Sequence, residues 1–179
     1  MTGRLILVVG PSGAGKDSLM EGARARLTDI HFARRVVTRP SVAGAEIHDT
    51  LDLDAFEGQE AAGRFMLSWR AHGLAYGVPA SLDRLRAEGT AVVVNVSRAV
   101  VDDARSRLAP VGIVVVTAPV AVLAARLAAR GREREEDIRQ RLERAIAGMP
   151  AGDDVRTVVN DGELEAGIAA FVAALRDLA

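Results

Sequence analysis

Along the chain, apolar runs of strand length alternate with stretches of helical period, the pattern of an α/β domain. Leu5–Val9 reads as a buried strand. Behind Gly10–Gly15 a helix is predicted, with Leu19, Ala23, Leu27 and Ile30 at spacings of four, four and three. Val36–Thr38 suits a short strand ended by Pro40, residues 41–51 a loop, and Asp52–Ala62 a short helix. Arg64–Ala71 alternates like a strand, and His72-Gly73 and Gly77 mark a turned segment. Ser81–Ala87 reads as a helix with Gly89 as its stop.

Ala91–Val96 is nearly all valine, as expected of a central strand buried on both faces. A helix over 98–108, a strand over Val111–Val116 and a helix over Val120–Ala129 follow, the last with Val120, Leu123 and Leu127 on one apolar face. The charged stretch Arg126–Arg144 breaks at Gly131 and resumes as a helix that points Ile138, Leu142 and Ala145 inward. Val155–Val159 is the last strand, and Leu164, Ile168, Phe171, Leu175 and Leu178 form the stripe of the last helix. The expectation is one α/β domain over 1–179, with a parallel sheet flanked by helices and residues 35–80 as an insertion.

Composition narrows the chemistry. Hydrophobic residues make up 49% of the 179 and charged residues 26%, enough apolar mass for a core. A net charge of −1 argues against a nucleic-acid partner. The absence of cysteine excludes disulfides, thiolate catalysis and cysteine-ligated metals, and His31, His48 and His72 do not have zinc-ligand spacing. The apolar run Leu5–Val9 is too short for a signal peptide or a membrane span, so a cytoplasmic protein without a membrane partner is expected. Arginine supplies 22 of the 23 basic residues, and alanine occurs 32 times. Against that bias the single lysine, Lys16, points to a position that needs a compact ammonium and not a planar fork.

Lys16 stands in Gly10-Pro11-Ser12-Gly13-Ala14-Gly15-Lys16-Asp17, behind a strand and at the start of a helix. Glycines let the backbone turn tightly enough for successive N–H groups to face phosphate oxygens. The helix N-terminus adds its positive end, and the lysine reaches the β- and γ-phosphates. Chance places such a match in about one chain in a hundred of this composition. The loop is therefore expected to bind ATP, through Gly10 to Ser18. One position departs from the usual pattern: Asp17 stands where a Ser or Thr hydroxyl ordinarily binds Mg²⁺, with Ser18 next. A carboxylate is a hard oxygen ligand favoured at a helix N-terminus, so Asp17 is a candidate Mg²⁺ contact or a local cap.

Thr38-Arg39-Pro40, Gly44, Glu46 and His72-Gly73-Leu74-Ala75-Tyr76-Gly77 follow the loop in the order seen in guanylate kinases. The resemblance runs from Leu5 to Val159-Asn160-Asp161 and implies a P-loop, nucleoside-monophosphate-kinase-like fold with a five-stranded parallel sheet. It also implies that Arg39 and Tyr76 bind the acceptor's phosphate, Asn160 the ATP, and that 126–144 is a helical lid. Arg130, Arg132 and Arg141 would close with that lid over the transferring group, Arg130 and Arg141 being catalytic with Lys16 and Arg39. The other reading of 126–144, with seven arginines and five acidic residues, is a helix surface laced with ion pairs.

The guanine-reading residues do not match. Guanylate kinases carry a Phe-Leu-Glu where this chain has Phe65-Met66-Leu67, and an Asp-x-Asp where it has Asn95-Val96-Ser97. Residues 10–19, Leu67-Ser68-Trp69, Gly73 to Val78, Asn95 to Ala99 and Asn160-Asp161-Gly162 instead resemble the ribose 1,5-bisphosphate phosphokinases, in which Asp at the Ser/Thr position is part of the pattern. That resemblance implies transfer from Mg²⁺-ATP to ribose 1,5-bisphosphate, giving 5-phosphoribosyl 1-diphosphate in phosphonate breakdown. Arg39, Tyr76, Ser97 and Arg98 would hold the acceptor. Trp69 is either core filling or a pocket wall, and His48 either solvated or paired with a phosphate. Two further readings stand beside this one: a guanylate or other small-phosphate kinase, and a non-catalytic interaction module, against which an intact loop with Lys16 argues.

Overall fold

The computed structural model describes residues 1–39, 49–129 and 135–179, without the side chains of residues 135–137 and 141. Five strands form a parallel sheet in the order β2-β7-β1-β8-β9: β1 (Leu5–Val9), β2 (Ile30–Phe32), β7 (Ala91–Asn95), β8 (Val111–Thr117) and β9 (Val155–Val159). Their sequence explains their place, since every residue of β1 and β7 is buried and a strand covered on both faces must be apolar throughout. The helices are α1 (Lys16–Arg24), α2 (Leu53–Ala61), α3 (Leu82–Ala87), α4 (Val101–Arg107), α5 (Val120–Ala128), α6 (Glu135–Ala147) and α7 (Leu164–Leu178). None is long and apolar enough to cross a membrane.

The chain divides into two compact units. The first comprises Met1–Ile6 and Asp29–Val111. It contains a second sheet, in the order β4-β3-β6-β5, from β3 (Val36–Val37), β4 (Asp49–Thr50), β5 (Phe65–Ala71) and β6 (Leu74–Pro79). His72 and Gly73 join β5 to β6 with positive φ of 53° and 73°, the two-residue turn whose twist suits a hairpin. One face of this sheet buries Val36 and Ala75 against Phe56 of α2, whose first turn is capped by Asp52 Oδ1 accepting from Ala55 N at 2.7 Å. Arg86, 3% exposed, donates to the carbonyls of Gly3 (3.1 Å) and Leu108 (2.5 Å), which satisfies a buried cation.

The second unit comprises Leu7–Thr28 and Gly112–Ala179. Helix α7 buries Ile168, Phe171, Leu175 and Leu178, and α1 lies close against it, for a Cβ on Gly22 would stand 2.3 Å from Ile168 Cδ1. Ile138 and Leu142 of α6 are buried as expected, whereas Ala145 is only half-buried.

Three expectations need correction. Helix α1 ends at Arg24; Leu27 is buried beyond it, and Ile30 opens β2, paired with Ala91. Spacings of three or four residues fit a helix face and a helix end followed by a strand alike when the intervening turn is short. Gly77 lies inside β6 and not in a turn, because the Phe65 ring occupies the space of its missing side chain, 2.6 Å from a Cβ built there. Leu164, expected in the buried stripe, is 51% exposed. Residues 40–48, including Pro40, Gly44, Glu46 and His48, and residues 130–134, including Arg130 and Arg132, lie outside the described residues.

Candidate active site

In the second unit the loop between β1 and α1 is built around glycines that nothing else can replace. A Cβ on Gly10 would stand 2.0 Å from the Val116 carbonyl oxygen, and one on Gly15, the left-handed N-cap of α1 at φ 88°, would stand 2.4 Å from Asn160 Nδ2. The Lys16 ammonium donates to the carbonyls of Gly10 (2.8 Å) and Pro11 (3.1 Å), so the loop curls around its own cation. Pro11 and Ala14 are buried, while Ser12, Asp17 and Ser18 are exposed. Asp17 occupies the first turn of α1 but is not its cap, because Gly15 holds that position. Its carboxylate stands where the helix dipole favours negative charge.

Asn160 follows β9 and is only 6% exposed. Its Nδ2 donates to the Ala14 carbonyl at 2.8 Å, and its backbone N–H to the Thr117 carbonyl at 2.7 Å. The side chain therefore braces the loop. From α5, Arg126 Nη1 donates to the Gly13 carbonyl at 3.3 Å, a contact that sequence reasoning missed because it joins residues 113 positions apart. Gly13, Gly15, Ser18, Arg126 and Asn160 line an open cleft of about 190 Å³, with the exposed Leu164 at one side. Asn160→Ala removes the brace and leaves the Ala14 carbonyl unpaired. We expect a loss of about 1–3 kcal/mol, seen as a fall of several degrees in Tm, together with a raised KM for ATP. An unchanged KM for ATP would detach this amide from the loop's function.

In the first unit, Thr38 follows β3. Its Oγ1 accepts from Ala75 N at 2.9 Å, and its own N–H donates to the Ala75 carbonyl at 3.1 Å. This double tie places Arg39 directly beyond the sheet, where Thr50 Oγ1 donates to its carbonyl at 3.1 Å. Arg39 is half-buried, and its Nε has no hydrogen-bond partner among the described residues. Tyr76, also half-buried, pairs with Val37 on one side and Trp69 on the other. The Trp69 and Tyr76 rings stack with centroids 5.3 Å apart and planes 3° apart, and Trp69 is 8% exposed. Trp69 thus fills space and walls the phenol at once.

Ser97 caps the short 3₁₀ turn Arg98–Val100, its Oγ accepting from Ala99 N at 3.3 Å. Arg98 is exposed at the start of that turn, beyond the C-terminal end of β7, the end at which open α/β sheets bind ligands. Among the described residues no three His, Asp or Glu side chains gather as a metal cluster. The Arg141 side chain is outside the description.

No family model matches the chain. It is 48% identical over 181 residues to the ribose 1,5-bisphosphate phosphokinase PhnN of Chelativorans sp. (strain BNC1), a match covering 99% of this chain and 87% of that protein. The chain belongs to the ribose 1,5-bisphosphate phosphokinase family. The family's PhnN from Rhodopseudomonas palustris (strain ATCC BAA-98 / CGA009) is 52% identical over 164 residues, covering 90% of this chain and 82% of that one. Among solved structures, the guanylate kinase of Anaplasma phagocytophilum superposes with a TM-score of 0.72, covering 98% of this chain and 86% of that one. At 18% identity the guanylate kinase shows the fold alone. Family and fold make this chain a P-loop kinase, as its motifs led us to expect.

Proposed function

We propose that the protein transfers the γ-phosphoryl group of ATP to the 1-phosphate of ribose 1,5-bisphosphate, yielding 5-phospho-α-D-ribose 1-diphosphate and ADP in the cytoplasm. The observation that carries this reading is the Lys16 loop, intact in a chain 48% identical to a kinase named for that acceptor. The attacking oxygen belongs to a phosphate whose second pKa is about 6, so it is anionic at neutral pH and needs no general base. The protein's task is to hold two polyanions together and stabilise charge.

The loop from Gly10 to Ser18 binds the triphosphate, Lys16 neutralises its terminal phosphates, and Asn160 keeps the loop in shape. Arg39 grips an acceptor phosphate and Tyr76 adds one donated bond, with Ser97 and Arg98 at the acceptor's other end. Residues 35–80 form the acceptor region of a single kinase domain. On the guanylate-kinase resemblance we also assign a lid to residues 126–144 and a catalytic role, with Lys16 and Arg39, to Arg130 and Arg141. Mg²⁺ fits the donor set present: Asp17 and Ser18 offer exposed hard oxygens at the start of α1, and an ion that keeps most of its waters needs no larger protein cage. When bound, Mg²⁺ would neutralise charge on the phosphates.

A panel of phosphorylated acceptors supplied with ATP and followed by ³¹P NMR tests the reading. A new diphosphate signal is expected with ribose 1,5-bisphosphate, and its absence would refute the assignment. Within that assay, Arg39→Ala and Tyr76→Phe should raise KM for the acceptor by about tenfold or more and leave KM for ATP nearly unchanged. Equal effects on both constants would place these residues elsewhere.

A further inference from the structure

Arg35 has no part in the roles assigned so far. It is 9% exposed, on a sheet face whose other members include Val37, Leu67 and Val78, each 0–1% exposed. Its carbon Cζ lies 5.9 Å from the Trp69 ring centroid and 5.4 Å from that of Tyr76, while those rings stand 5.3 Å from each other. The cation therefore bridges both rings of one stacked pair, within the range at which a ring quadrupole attracts it. Tyr76 is also held from the other strand, opposite Val37.

We infer that Arg35 is a positioning residue for acceptor binding: its guanidinium, shared between Trp69 and Tyr76, fixes the phenol that meets the acceptor's phosphate and adds positive charge beside it. This rests on the acceptor role proposed for Tyr76. The ligand chemistry is a phosphate monoester dianion, which gains from a nearby cation even without touching it. A flat, delocalised guanidinium can lie against two rings, whereas an ammonium is a hydrated point charge.

Trp69 is the only tryptophan of the chain, so its fluorescence reports on this stack alone. Ribose 1,5-bisphosphate added to the full-length protein without ATP should change that emission, and Arg35→Met should need about tenfold more of it for the same change. In turnover, Arg35→Met should raise KM for the acceptor by about the same factor, with KM for ATP and kcat close to wild type. Arg35→Lys should fall between the two. An acceptor KM within about twofold of wild type, or equal rises for acceptor and ATP, overturns the inference. If Arg35→Met does not fold, Arg35→Lys decides, and a wild-type acceptor KM in it overturns the role. If wild-type protein ignores ribose 1,5-bisphosphate, the proposed function fails separately. The same variant-to-wild-type ratio is then read with whichever phosphorylated acceptor the wild type turns over.

Discussion

Lys16→Arg should lower kcat/KM by about 10²–10³-fold while the protein stays folded. The ammonium sits inside a loop whose carbonyls at Gly10 and Pro11 approach it to 2.8 and 3.1 Å. Such a space admits a compact cation that can turn its donors from carbonyls to phosphate oxygens. A guanidinium keeps the charge but is planar and larger, so it must displace the loop or lie outside it. The loop has little room to yield, because Gly10 abuts the Val116 carbonyl and Gly15 abuts Asn160. Charge stabilisation at the transferring group depends on sub-ångström placement, so retaining the charge should not rescue the rate. Steady-state kinetics and a thermal melt on the same preparation decide the matter. Turnover at the wild-type rate in a folded variant would remove Lys16 from the mechanism.

The second large effect concerns acceptor choice. Guanylate kinases place carboxylates at the positions of Leu67 and Ser97, to accept from guanine N–H groups. Leu67 is 1% exposed and paired with Val78, deep in the sheet face that carries Trp69. Ser97 offers a neutral hydroxyl, one lone pair of which already accepts from Ala99 N, in place of a carboxylate. A guanine bound here would lose both partners, at about 1–3 kcal/mol for each unpaired donor. GMP should therefore be used roughly 30- to 10⁴-fold less well than ribose 1,5-bisphosphate, since 1.4 kcal/mol is tenfold. The measurement is kcat/KM for both acceptors in one buffer with saturating Mg²⁺-ATP. If GMP came within about threefold, the guanylate kinase reading would stand instead. Likeness of fold to a guanylate kinase does not bear on this, because the residues that read the base are side chains on a shared frame.

How much of this was legible beforehand depended on distance along the chain. The phosphate loop was readable because its requirements are local: two or three backbone shapes, one cation and a helix start, all within eight residues. The valine strands and the stripe of α7 were readable for the same reason, since strand and helix each impose a short period on the residues they bury. Arg39 and Tyr76 were legible only through resemblance. Nothing in their spacing shows that Val37 pairs with Tyr76, or that the Thr38–Ala75 bonds hold the end of β3.

Tertiary structure decided what depends on partners far apart in sequence. Ile30 continues a helical spacing, yet it lies in β2 because pairing with Ala91 buries it. Gly77 is a turn residue by composition and a strand residue in fact, because the Phe65 ring needs its empty side. Asn160 braces Ala14 across 146 positions, and Arg126 reaches Gly13 across 113. Arg35, one of 22 arginines, is singled out only by the two rings it meets. Hydrophobic period records which face of an element is buried, but not which element covers it, and a polar side chain carries no period at all.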